Sequence, residues 1–174
     1  MAMTVHTQEL AAAAHPNNDP NNDHDRDHGG GSQALRRARR ILIVDDSRAI
    51  QALIRRCLDC EELGPLQIET ASDGLDALTQ VARFRPDLVL ADWHMPGASG
   101  LEMLQRLRQA GFEQLPVGFI TMDRGSDCQR RAQQYGALFL LHKPFAAGEL
   151  RQAVAQGLGL TLALGGQERV AQPA

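Results

Sequence analysis

Lysine is nearly missing from this sequence. It has 174 residues and eighteen basic side chains, of which seventeen are arginine and one, Lys143, is lysine. The two cations are interchangeable on a solvated surface, but a tight site that needs a compact ammonium does not accept a guanidinium. The exception is therefore worth locating. Cysteine is scarce too: Cys57, Cys60 and Cys128 are too few, and odd in number, for a disulfide framework. Cys57 and Cys60 form a lone C-x-x-C with no second pair. It reads more readily as two small apolar residues on an amphipathic helix than as a redox pair or half a zinc site. There is no basic excess either. The net charge of −3 leaves no global field for nucleic acid. No run is apolar for long enough to span a bilayer. Met1 to Ala14 lack the basic and apolar regions of a secretory signal, so a cytoplasmic setting without membrane attachment is expected.

Residues 1–37 have almost no apolar content after Ala14 and are rich in Asn, Asp, Pro and Gly, so a disordered tail is expected there. It carries His6, His15, His24 and His28, and with Asp23, Asp25 and Asp27 these could bind a metal loosely, although a solvated tail is the simpler reading. Arg36, Arg37, Arg39 and Arg40 close it. From residue 38 to about 160 short apolar runs alternate with amphipathic stretches. The strands are read at ILIV (41–44), LQIET (66–70), DLVLAD (87–92), PVGFIT (116–121) and ALFLLH (137–142). Between and after them the helical spacing puts Ile50, Leu53, Ile54, Cys57 and Leu58 on one face, then Leu75, Leu78 and Ala82, then Leu101, Leu104 and Leu107, and finally Leu150, Val154 and Leu158. Gly64-Pro65 is read as the stop of the first helix. Residues 161–174 are expected to be a flexible tail.

Strands separated by helices must run parallel, with helices over both faces. The fold class expected is α/β: an open, doubly wound five-stranded parallel sheet of flavodoxin type, order 2-1-3-4-5, built as (βα)5. Such sheets bind ligands beyond the carboxyl ends of their strands, at the switch point between strands 1 and 3. The polar residues gather at those ends. Asp45 and Asp46 follow strand 1, Asp92 ends strand 3, Thr121 ends strand 4 and Lys143 follows strand 5.

Three carboxylates in one cleft repel each other. Two unit charges ~4 Å apart cost about 4 kcal/mol at an effective dielectric near 20. Lys143 supplies one compensating charge and a divalent cation can supply two. Oxygen-only ligands with room for water and phosphate point to Mg2+. A metal, a carboxylate and a lysine together suit phosphoryl transfer, which depends on positioning and on neutralising the phosphoryl oxygens. Asp92 is the candidate acceptor, with Thr121 and Lys143 holding the oxygens. Each residue also has an ordinary reading: Asp46 or Ser47 as a helix cap, Thr121 as a turn residue, Lys143 as a surface residue. All five falling together on the correct strand ends favours the site.

The segments VDDS (44–47), LVLADWHMPGASGLEML (88–104), FITMD (119–123) and HKPF (142–145) resemble the signature blocks of response-regulator receiver domains of the single-domain, chemotaxis type. The resemblance covers roughly residues 39–160. It implies a two-component signalling module in which Asp92 accepts the phosphoryl group from a histidine kinase, a histidine phosphotransfer protein or a small donor. It implies that Asp46 binds Mg2+ directly, Asp45 mainly through water, and the His94 backbone carbonyl as a further ligand. It implies that the Lys143-Pro144 bond is cis. The output would run through an unidentified partner protein on the face of the fourth helix, fifth strand and fifth helix. No helix-turn-helix follows the fifth helix, so direct DNA binding is not expected. A signalling domain is expected, not a conventional enzyme; its own chemistry would be limited to phosphotransfer and slow autodephosphorylation.

Three positions depart from the family pattern or tune it. Leu140 stands where relatives often carry an aromatic that turns inward on phosphorylation. Phe139 should face the other side of the strand. Met122 replaces a small residue and is expected to crowd the mouth of the site. Asp123, with His94, sits where the family tunes loss of phosphate. His142 is expected to be partly buried and hydrogen-bonded. A haloacid-dehalogenase-type phosphatase is the competing reading. It would require a second Asp at position 94, where His94 stands, and an acidic pair late in the chain. An interaction module without chemistry would be expected to lack one of the five residues, and none is missing.

Overall fold

The computed structural model describes residues 37–162. Five strands and five α-helices alternate along it. They are β1 (Arg39–Val44), α1 (Arg48–Leu58), β2 (Leu66–Ala71), α2 (Gly74–Phe84), β3 (Leu88–Ala91), α3 (Gly100–Gln109), β4 (Val117–Thr121), α4 (Ser126–Gln134), β5 (Phe139–His142) and α5 (Ala147–Gly157). The strands pair in parallel in the order β2-β1-β3-β4-β5, as the alternating pattern requires. The expected tails fall mostly outside the described residues. On the C-terminal side, Leu160 and Leu162 still pack against the core.

The central strands are apolar on both sides because both faces are covered. Ile41 to Val44 are all fully buried. Alternate residues feed two cores. Leu42, Val44, Val89 and Phe119 lie on the face covered by α2, α3 and α4. Ile41, Ile43, Leu90 and Ile120 lie on the face covered by α1 and α5. Neighbouring residues of β5 separate in the same way. Leu140 packs on the first core and Phe139 on the second.

Local chemistry sets the helix starts. Ser47 accepts from the Ile50 amide at the start of α1, and Asp73 accepts from Leu75 and Asp76 at the start of α2. Ser99 and Glu102 cap α3 reciprocally. The helical faces differ from expectation at two places. Leu53 is 48% exposed and Leu75 is 53% exposed, while Ala77 and Val81 carry the inward face of α2. A helix of mixed apolar content turns its densest stripe inward, and single leucines beside the stripe stay in water. The first helix also ends at Leu58, before Gly64. A short 3-10 turn, Glu61–Leu63, fills the gap, so Cys60 lies beyond the helix and only Cys57 on it.

Candidate functional site

Parallel pairing brings the carboxyl ends of β1, β3, β4 and β5 to one rim. Asp45 follows β1, Asp92 follows β3, Thr121 closes β4 and Lys143 follows β5. The Asp92 amide donates to the Val44 carbonyl (2.8 Å) and the Lys143 amide to the Thr121 carbonyl (2.8 Å), so the ladder hydrogen bonds extend into the site. These side chains are therefore held by backbone that is part of the sheet. The Lys143-Pro144 peptide bond is cis.

Lys143 is the centre of the arrangement. It is 9% exposed, and its ammonium donates to Asp45 Oδ2 at 2.8 Å and to Asp92 Oδ2 at 3.0 Å. Burial alone would pull its pKa down. The hydrogen bonds and charges of Asp45 and Asp92 outweigh burial, so the net shift is upward. The lysine is thus held firmly in its charged form. Asp45 is only 2% exposed; its other oxygen accepts from the Ser47 amide at 2.9 Å. Both of its oxygens are committed to N–H donors. Asp46 is exposed, and Ser47 rather than Asp46 caps α1. Asp45, Asp46 and Asp92 each offer a carboxylate oxygen, all within 4.8 Å of one another. A donor set of hard oxygens alone fits Mg2+ and does not suit a thiophilic metal.

Thr121 is fully buried, and its hydroxyl oxygen accepts from the Asp123 amide at 3.1 Å, which leaves its hydrogen to donate elsewhere. His94 and Asp123 pair across the mouth, with Nε2 to Oδ2 at 3.2 Å. The Gly125 amide and then the His94 ring hold the Asp123 carboxyl below the usual carboxylate range. His94 is therefore exposed but not idle. Met122 is 68% exposed beside this pair. His142 corrects an expectation: it is partly buried, but its Nδ1 is enclosed without a hydrogen-bond partner.

Two supports hold the site from behind. The Gln51 amide group donates to the Asp45 carbonyl (2.7 Å) and the Ala71 carbonyl (3.0 Å), tying α1 to the ends of β1 and β2. Gly100, at the start of α3, lies so close behind Asp92 that a Cβ there would meet the Asp92 carbonyl oxygen at 2.2 Å and the Phe119 ring at 2.8 Å. Trp93 stacks edge-on against the same ring, centroids 4.9 Å apart, and is buried. The acceptor candidate thus sits on a packed aromatic floor.

The family model for the response regulator receiver domain matches residues 41–155. "Response regulator MprA" of Mycobacterium leprae is 43% identical over 112 residues, which cover 64% of this chain and 47% of that protein. The chain thus spans about half the length of that relative. "Sporulation initiation phosphotransferase F" of Bacillus subtilis is 37% identical over 121 residues, covering 70% of this chain and 94% of that one. Among solved structures, the chemotaxis response regulator CheY4 of Vibrio cholerae superposes with a TM-score of 0.62 at 27% identity, over 70% of this chain and 99% of that chain. The receiver domain of Francisella response regulator 1452 gives 0.63 at 26% identity, over 70% and 97%.

Proposed function

The chain belongs to the response regulator receiver domain family, and we propose that it receives a phosphoryl group on Asp92 from a histidine kinase, a histidine phosphotransfer protein or a small acyl-phosphate donor. The observation that carries this reading is the triangle of Asp45, Asp92 and Lys143. One buried ammonium bridges two carboxylates from strands β1 and β3. Such a triangle leaves a net negative pocket that a hard divalent cation completes.

In the proposed step an Asp92 carboxylate oxygen attacks phosphorus. The bond from phosphorus to the donor breaks, and its electron pair leaves with the donor group. Asp45, Asp46, Asp92 and the His94 carbonyl would hold Mg2+, which when bound neutralises charge on the incoming phosphoryl oxygens. Lys143 hands its Asp92 hydrogen bond to a phosphoryl oxygen while keeping Asp45. Thr121 donates its free hydroxyl hydrogen to another. Asp45, with both oxygens engaged, is suited to reach the metal through water, and the exposed Asp46 to bind it directly. Asp123 and His94 border the path of the hydrolytic water, and Met122 narrows it. We place the downstream signal at the face of α4, β5 and α5, toward a partner protein in the cytoplasm, and direct DNA contact is no part of this reading. Leu140 has no ring to rotate, so movement of the α4 side would proceed through backbone and loops.

The test uses Trp93, the only tryptophan. Mg2+ should change its fluorescence, and an acyl-phosphate donor should add one phosphoryl group by intact mass. Asp92→Asn should gain none. Phosphorylation of that variant at an unchanged rate would remove Asp92 from the role.

A further inference from the structure

At the opposite pole from the carboxylates, a groove of about 570 Å³ runs between the outer side of α1 and the edge strand β2. Its floor is apolar, with Ala52, Leu66 and Ile68, and Cys60 lies in its wall. Arg55 and Arg56 form its rim, both exposed. β2 has β1 on one side and no strand on the other among the described residues. A second hollow of about 500 Å³, lined by Arg37, Arg39 and Asp87, continues from it. The two share Gly64 and Pro65. Arg37 is half engaged, 3.6 Å from Asp87. Arg39, Arg55 and Arg56 form no ion pair among the described residues. Against these cations the groove itself contributes only Asp59 and Asp87.

The described chain begins at Arg37, on the lip of this double hollow. Just upstream stands the acidic tract of residues 19–28. It contains Asp19, Asp23, Asp25 and Asp27, with Arg26 as its only fixed cation. Arg37 lies ten residue steps beyond Asp27, a reach of up to about 33 Å when extended. The α1 helix, at 11 residues, is only about 16 Å long. The tract can therefore reach every part of the groove without strain. We propose that the acidic tract of this chain's own N-terminal segment docks along the arginine-rimmed groove between α1 and β2, covering Cys60 and the open edge of the sheet.

This occupant follows from charge and tethering together. Exposed ion pairs are individually weak, but a tethered segment stays at high local concentration, so several weak pairs suffice. It also follows that the contact is sensitive to salt. Covering β2 would further protect a strand edge that is otherwise open to pairing with other chains.

Cys60 is the natural reporter. In the full chain at low salt, its alkylation by the neutral reagent N-ethylmaleimide is followed by peptide mass analysis. The buried Cys128 serves as the slow internal reference. Changing Asp19, Asp23, Asp25 and Asp27 together to Asn should speed Cys60 alkylation by roughly threefold or more, and 0.5 M salt should do the same to the native chain. Amide resonances of Arg55, Arg56 and Gly64 should shift between the native and the fourfold variant. Equal alkylation rates and superimposable spectra would overturn the proposal. So would protection that grows with protein concentration, because the contact would then lie between copies.

Discussion

Replacing Lys143 by Met removes the ammonium but keeps an unbranched apolar stem of nearly the same length. At 2.8 and 3.0 Å the two contacts each amount to about 6 kcal/mol of gross attraction at an effective dielectric near 20. Desolvation offsets most of this, and breaking such a pair costs about 3–5 kcal/mol net because a buried charge is left behind. The low end applies, since Asp92 borders solvent while Asp45 does not. A loss of about 3 kcal/mol should lower the melting temperature by roughly 10 °C in chelator. Mg2+ should return part of it, as saturation at a hundredfold excess over Kd stabilises by about 2.7 kcal/mol. The variant should also bind Mg2+ more tightly than the native chain, because a competing positive charge has gone. The pH dependence has a definite sign. The folded-state pKa of Lys143 is raised, so its contribution is complete below the unfolded value of about 10.4 and disappears as pH rises through the higher folded value. Circular dichroism melts of both proteins in chelator and in Mg2+ decide the matter. If the variant melted within about 2 °C of the native chain in chelator, the ammonium would not be holding the two strands' carboxylates together.

Gly100→Ala should cost about 3 kcal/mol in urea denaturation and slow phosphoryl acceptance, because the added Cβ meets the Asp92 backbone and not a yielding side chain. Gly118→Ala brings a Cβ to 2.2 Å from the Phe139 ring and should cost about 2 kcal/mol. Most of that should vanish in a Phe139→Leu background, a coupling that a double-mutant cycle measures. Leu75→Gln should change stability by less than about 0.5 kcal/mol while Leu78→Ala costs about 3 kcal/mol. Equal effects would mean that the α2 face was assigned wrongly.

The fold was readable because four of the five strands ran apolar and stopped at a polar residue, and four of the five helices carried a clear stripe. Where the stripe is thin, spacing does not define the buried face. Leu53 and Leu75 sit at helical spacing with buried neighbours yet lie just off the buried face, and spacing alone does not rank positions within a face. The site was readable because its members are chemically unusual: adjacent aspartates after a strand, and a single lysine. Gln51 was not, and Gly100 was legible only as part of the loop after Asp92, because both act through backbone carbonyls. A glutamine one turn into a helix and a glycine at a helix start have many ordinary uses. The ring of Phe139 over Gly118 was equally hidden, since their pairing needs the register of β4 and β5.

Asp45 and Lys143 are 98 positions apart, yet they form the shortest ion pair of the pocket. A ribosome therefore delivers the acidic half of the centre long before the cation that balances it. An unfinished chain holds Asp45 and Asp92 without the ammonium that bridges them. The bridged centre is assembled only when the last strand docks, so a truncated or half-folded copy would lack the site on which the proposed function rests.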